Sequence, residues 1–477
     1  MSSRTTSFAL LLAFAAAATA TAQDTRPVAF TNARLVTVSG AVIERGTLVV
    51  RNGKIDAIGA DVTVPPGARI VDATGKTVLP GLVSAWSRAG LQGGGRAEDP
   101  SGGGRRGGRG PMPMPMPQAG AGPTGNRAAT KVVDGLYAKQ PVFGDLLRVG
   151  ITSLALSPSG GGFPGLGAVL RPDGKTLEQL TVDDDAFVQV SMVRDSQTKK
   201  LLTETFEKAQ KVVDERKKPP TPPTQPAEAK PAEKPPEPKP ADGKTEPPKG
   251  NEPPKPEPKP EPKPEEKKET PPAGPPAGQA PPAARPQQPK DPNLEVLADL
   301  LEGKRRAIVQ IDSAADMLHW QAAVAETVKF PRALLMPRHD PMSGTIDLVL
   351  DQVKAWQCPV LLSPDLTTQP RSRTLMHPAQ QLHDAGIEVG FVIGDNTTTV
   401  RALFFRLAEL VRHGLPADVA VRAVTLTPAK ILGIDKQVGT LEVGKQANLL
   451  VFGGDPLSVT GALETVWLAG QEVQKQP

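Results

Sequence analysis

The chain has 477 residues and a single cysteine, so no intrachain disulfide can form and its stability must come from packing. Its net charge is only +5, from 56 basic and 51 acidic residues. Part of the basic excess is Arg96, Arg105, Arg106 and Arg109, in a glycine-rich stretch without interleaved aromatic residues, which argues against a nucleic-acid partner.

Taken in chain order, residues 1–22 carry one early positive charge at Arg4, an apolar run from Phe8 to Ala18, and the small-residue triplet Ala20-Thr21-Ala22. This pattern predicts a secretory signal peptide cleaved after Ala22. The apolar run falls short of the roughly 20 residues that a bilayer requires, and no later stretch is long and apolar enough to span one. The expected location is therefore outside the cytoplasm, periplasmic or extracellular, without a membrane-spanning segment.

Residues 27–75 alternate apolar and polar side chains between turn signals, of which Asn52-Gly53 is the strongest for a hairpin. Residues 438–475 follow the same alternation. Neither end has enough strands to bury a face alone, so both are expected to share one small composite β-sandwich domain.

Between them, residues 76–216 and 293–437 read as short apolar strands alternating with amphipathic helices. Strands are predicted at 77–83, 151–157, 187–193, 306–312, 332–337, 359–365 and 387–394. This is the signature of an α/β parallel sheet covered by helices, and a (β/α)8-type, TIM-like barrel is the architecture it predicts. Seven strands are legible, so the eighth is either cryptic or missing and the barrel incomplete. The acidic strand ends at Asp312, Asp365 and Asp395 would sit at its mouth. Two low-complexity insertions interrupt it, both predicted to be disordered. Residues 93–126 are Gly/Arg/Pro-rich, and the Pro/Lys/Glu-rich residues 217–292 hold more than half of the chain's 53 prolines and read as a stiff polyproline spacer.

Three stretches, "LVTVSGAVIERGTLVVRNGKIDAIG", "VDATGKTVLPGLV" and "AVRAVTLTPAKILGIDKQVGTLEVGKQANLLVFGGDPL", resemble the amidohydrolase superfamily, in particular its imidazolonepropionase-like branch. The last stretch reads as a helix capped by Thr427, with Pro428 in its first turn and Gly433 at its end. The resemblance implies a hydrolase of carbon–nitrogen, non-peptide bonds that activates water on one or two divalent ions such as zinc.

In the family pattern the first barrel strand ends in Pro-Gly-Leu-Ile-Asp and is followed by His-x-His. Here Ser84 stands for the aspartate, and Trp86 and Arg88 stand for the histidines. Neither Trp nor Arg has a lone pair to give a metal. Gln310 and Asp312 occupy the histidine places of a middle strand, His339 is a candidate displaced ligand, and Asp395 matches the aspartate of the last strand. Asp395 and His339 are thus the candidate catalytic residues. No resident cofactor is expected from so reduced a donor set. A divalent metal would be held only if a divergent hydrolase persists around Asp395 with His339 or Asp312. Arg88 is expected to face Asp395 and to supply the positive charge that a metal would have supplied. The resulting expectation is an exported, non-catalytic binding or scaffold protein for a small molecule or an envelope component, with a divergent hydrolase as the alternative.

The remaining candidates read as structural. His377 and His383 are six apart and lie on different sides of a helix, so they cannot chelate one ion. His413 sits at a helix end, where a cation complements the dipole. His319 lies beside Trp320 at a core edge, and Cys358 enters a buried strand. The glycine-rich run 157–167 is either a substrate-facing loop or a plain connection.

Overall fold

The computed structural model describes residues 26–91, 123–218, 290–336, 346–369 and 371–473. The predicted signal peptide, most of both low-complexity insertions and His339 lie outside the described residues. Among the described residues, no helix is long and apolar enough to cross a membrane.

The two chain ends meet in one eight-stranded sheet. Val28–Leu35, Ile43–Arg51 and Lys54–Gly59 form an antiparallel meander, and Lys76–Pro80 runs parallel to the first of these. On its other side Lys76–Pro80 pairs antiparallel with Leu449–Gly453, with Leu79 opposite Leu450, and the sheet continues through Ala462–Leu468 to Gln471–Glu472. Asn52 and Gly53 both have positive φ, 50° and 76°, as a tight hairpin turn requires. The buried cluster draws Phe30, Leu48 and Val78 from one end and Leu441, Leu449 and Trp467 from the other, with the Phe30 and Trp467 rings edge-on at 4.9 Å. The core thus belongs to neither end alone.

The predicted strand 77–83 proves to be two strands in two different sheets. Lys76–Pro80 closes the β domain, and Leu82–Ser84 opens the barrel by pairing with Ile151–Leu156. The join is Gly81, packed so tightly that a Cβ there would lie 2.2 Å from Thr152 Oγ1 and 2.4 Å from its Cγ2.

The barrel sheet runs Leu82–Ser84, Ile151–Leu156, Gly162–Leu170, Thr181–Ser191, Ala307–Gln310, Arg332–Met336, Val360–Leu362 and Val389–Phe391. All are parallel except Gly162–Leu170, which is antiparallel to both neighbours. This is the cryptic eighth strand, and it corrects the reading of the glycine-rich run as a loop. Gly167 lies against the Phe187 ring, where a Cβ would come within 2.0 Å, so this position cannot carry the β-branched or aromatic residue by which strands are recognised. Closure between the first and last strands passes through main-chain groups of a connecting segment. Phe391 N–H donates to Ala423 O at 2.8 Å and Val83 N–H donates to Val424 O at 3.0 Å.

Strand alternation sorts the barrel's side chains into two layers. Val83, Ala155, Phe187, Ile308, Leu335 and Leu361 form the inner cluster, joined by Ile431 and Leu432 of the closing helix. Leu154, Val188, Val309 and Leu334 face outward to the helices. That helix spans Leu426–Leu432 and ends at Gly433 with φ 75°. Its N-cap is Thr425, which corrects the assignment to Thr427: the Thr427 hydroxyl instead donates to Glu388 Oε1 at 3.0 Å. The helices Ser196–Lys217 and Pro292–Leu301, which flank the long insertion, are clasped by Arg216, whose guanidinium binds Glu295, Asp299 and Glu302 together.

Candidate functional site

The inner-layer pattern extends toward the carboxyl ends of the strands. Ser157, Gln189, Gln310 and Ser363 each follow an inner apolar residue, Ala155, Phe187, Ile308 and Leu361, by two positions, so their side chains share its face. Beyond the last strand stands Asp395, and beyond the first stand Trp86, Ser87 and Arg88. The barrel mouth therefore carries neutral polar groups, with Asp312 beside Gln310 and Asp395 beside Arg88.

The Asp395 carboxylate is held by the first strand's extension. Asp395 Oδ2 accepts the main-chain N–H of Arg88 at 3.0 Å, and the Ser87 hydroxyl acts on the same carboxylate. Ser87 Oγ in turn accepts from Ala89 N–H at 3.0 Å, and the Ser87 carbonyl accepts from Ser157 N–H at 2.9 Å. Burial pushes the Asp395 carboxyl above the ordinary carboxylate range. The Ser87 hydroxyl, the Arg88 N–H and the Arg88 charge oppose that rise without cancelling it. Asp395 Oδ1 has no hydrogen-bond partner among the described residues, nor do Gln189 Oε1 and Nε2 or Ser157 Oγ. Gln189 and Ser157 are both fully buried. An amide and a hydroxyl left unbonded at such depth cost on the order of 1–3 kcal/mol each, which favours a bound water or polar ligand group at each.

Ser87 was absent from the sequence-derived candidates. In the family pattern it is the residue between the two histidine positions, and strict alternation would turn it away from them. The strand ends at Ser84 and the chain bends at Ala85 and Trp86, so alternation fails just where it was applied. A neutral hydroxyl carries no local signal that could have found it.

Among the described residues, no three His, Cys, Asp or Glu ligand atoms converge at the mouth. Ser84 Oγ donates to the Trp86 carbonyl at 3.1 Å, and Trp86 packs against the barrel's inner apolar cluster. Gln310 Nε2 donates to Asp312 Oδ1 at 3.0 Å. His339 lies outside the described residues. Among the described residues, Asp183, Asp184 and Asp185 are the one trio whose ligand atoms could surround an ion, and they lie on the strand Thr181–Ser191. Two of these already meet cations, Asp184 with Lys131 Nζ at 2.7 Å and Asp185 with Arg305 at 2.9 Å.

The other candidates are structural. Asp365 pairs with Arg406 at 3.1 Å. His377 caps the helix Pro378–Asp384, its Nδ1 accepting from Gln380 N–H at 3.1 Å. His413 ends the helix Leu403–Arg412 with Nδ1 2.9 Å from the Glu409 carbonyl. His319 lies half-buried in the helix Ala314–Ala323. The Cys358 thiol is buried and pushed up to about 11, which keeps it protonated.

The Asp395 environment has a pH consequence. A carboxyl raised in the folded state binds its proton more tightly than in the unfolded chain. Stability therefore falls as pH rises from the ordinary carboxylate value to the folded value, and stays lower above it. Asp395→Asn is expected to stabilise the protein at pH 7 by about 1–3 kcal/mol, the scale of a buried polar atom without a partner, and to give no gain at strongly acid pH. Urea titrations of both proteins at the two pH values check this. A destabilised Asp395→Asn at pH 7 would show that the anion is favourably held.

The amidohydrolase family model matches residues 343–473, which include Asp395. An amidohydrolase, tasK, of Hapsidospora irregularis is 30% identical over 91 residues, 19% of this chain and 9% of that protein. The imidazolonepropionase of Klebsiella pneumoniae (strain 342) is 40% identical over 78 residues, 15% of this chain and 19% of the relative. The chain thus covers only a small part of these relatives' lengths. Among solved structures, an amidohydrolase from Thermotoga maritima MSB8 superposes with a TM-score of 0.64 at 18% identity, covering 94% of this chain and 100% of that one. That likeness is one of fold.

Proposed function

Starting from a chain that belongs to the amidohydrolase superfamily, we propose that it is an exported binding protein of the cell envelope, in which a hydrogen-bonded carboxylate has replaced the metal centre. The observation that carries this reading is the state of Asp395. The Ser87 hydroxyl and the Arg88 N–H hold the carboxylate, and Trp86 packs into the inner cluster from a family histidine position. The buried, unbonded Gln189 and Ser157 supply neutral donors and acceptors to a small molecule rather than ligands to an ion. Export rests on residues 1–22, whose Ala-Thr-Ala end predicts a mature chain starting at Gln23.

A second reading is favoured by the same carboxyl. A buried Asp whose carboxyl is raised above the ordinary carboxylate range, with one unbonded oxygen, is suited to exchange a proton with a bound substrate, as a divergent hydrolase of carbon–nitrogen, non-peptide bonds would need. Elemental analysis of the full-length protein, purified without added metal and again after zinc loading and dialysis, separates these from a metallohydrolase. The expected result is substoichiometric metal in both. One or more tightly held zinc ions per chain, lost in Asp395→Asn, would overturn the proposal.

A further inference from the structure

We propose that the seam between the β domain and the barrel holds a second ligand site, shaped for an amphiphilic organic anion of the medium-chain carboxylate type. A cavity of about 580 Å³ opens there, in the range of small-molecule sites. Its apolar walls come from three separate parts of the chain: Val149 beside the helix Pro141–Arg148, Val400 and Phe404 after the barrel's last strand, and Phe452 and Leu463 of the β domain. The Phe404 and Phe452 rings meet edge-on with centroids 4.7 Å apart, which fixes one wall as a rigid aromatic corner.

The rim is polar and carries excess positive charge. Arg148 and Arg401 line it against one carboxylate, Asp145. Arg148 Nη1 engages Asp145 at 2.8 Å, but its Nε is a buried donor without a partner. Arg401 is exposed, with no carboxylate among the described residues at ion-pair distance. An apolar tail against the aromatic corner, with its carboxylate at these guanidinium groups, would satisfy both features. A cationic head would meet net repulsion. None of these residues belongs to the set around Asp395, so the site stands or falls independently of the barrel mouth.

The test uses the full-length protein and three probes of equal chain length, octanoate, octanol and octylammonium, followed by calorimetry at physiological salt. Octanoate is expected to bind saturably with one site, at least about tenfold more tightly than octylammonium. Arg401→Glu, on an exposed side chain, should weaken octanoate about tenfold and leave the thermal midpoint unchanged. Ala462→Trp, which fills the cavity's lip from an exposed strand position, should abolish binding, and Asp395→Asn should leave it intact. Absence of saturable binding, equal affinity for octylammonium, or insensitivity to Arg401→Glu would overturn the proposal. Loss of binding in Asp395→Asn would place the probe at the barrel mouth and overturn it as well.

Discussion

Truncation after Gly433 is expected to unfold the N-terminal strands together with the segment removed. The cut deletes Leu449–Gly453, which lies between Lys76–Pro80 and Ala462–Leu468 in the sheet. It also strips Leu441, Leu449, Val451 and Trp467 from a cluster whose other half is Phe30, Leu48, Ile55 and Val78. Full burial of each such side chain is worth roughly 1.5–3 kcal/mol. Four of them approach or exceed the roughly 5–15 kcal/mol by which whole domains are stable. The exposed face and the new open edge at Lys76–Pro80 would add a tendency to aggregate. Hydrogen exchange at Val49 and Val50, deep in the remaining meander, reads the outcome. Native-like protection there in the truncated protein would refute the interdependence of the two ends.

Gly81→Ala is expected to destabilise the protein by at least about 3 kcal/mol, at the upper end of overpacking costs. The new methyl would sit 2.2, 2.4 and 2.8 Å from three atoms of Thr152. Neither side can easily give way. Gly81 N–H is bonded to Asn448 O at 2.8 Å in one sheet, while Leu82 N–H is bonded to Gly150 O at 3.0 Å in the other. Thr152 is itself fully buried, and its hydroxyl donates to Leu82 O at 3.3 Å. Thr152→Gly removes all three clashing atoms, so the double variant should be more stable than Gly81→Ala alone, a coupling that a double-mutant cycle isolates. Urea unfolding of the four proteins measures it. A loss within about 0.5 kcal/mol for Gly81→Ala would show that the join between the sheets is soft.

What the sequence by itself determined is local and periodic. Alternation and the Asn52-Gly53 signal placed strands at both chain ends, and apolar runs between amphipathic helices placed a barrel of mainly parallel strands between them. That Trp86 and Arg88 have no lone pair to give a metal was equally legible, because ligand capacity is a property of a side chain and not of its surroundings.

Only the tertiary structure decided the rest. In the strand Gly162–Leu170, Gly167 is required because Phe187 of the neighbouring strand occupies the space a side chain would need, and Gly165 because the Thr130 carbonyl does, constraints that no window of local sequence contains. Gly81 joins two strands of two different sheets because Thr152 presses against it from the adjacent barrel strand. Barrel closure rests on two carbonyls, those of Ala423 and Val424, and a carbonyl is the same in every residue. The partnership of Arg88 with Asp395 joins groups 307 residues apart through a main-chain N–H, and that of Ser87 adds a common hydroxyl. Such contacts leave no periodicity and select no residue type strongly, so they exist only once the chain has closed on itself.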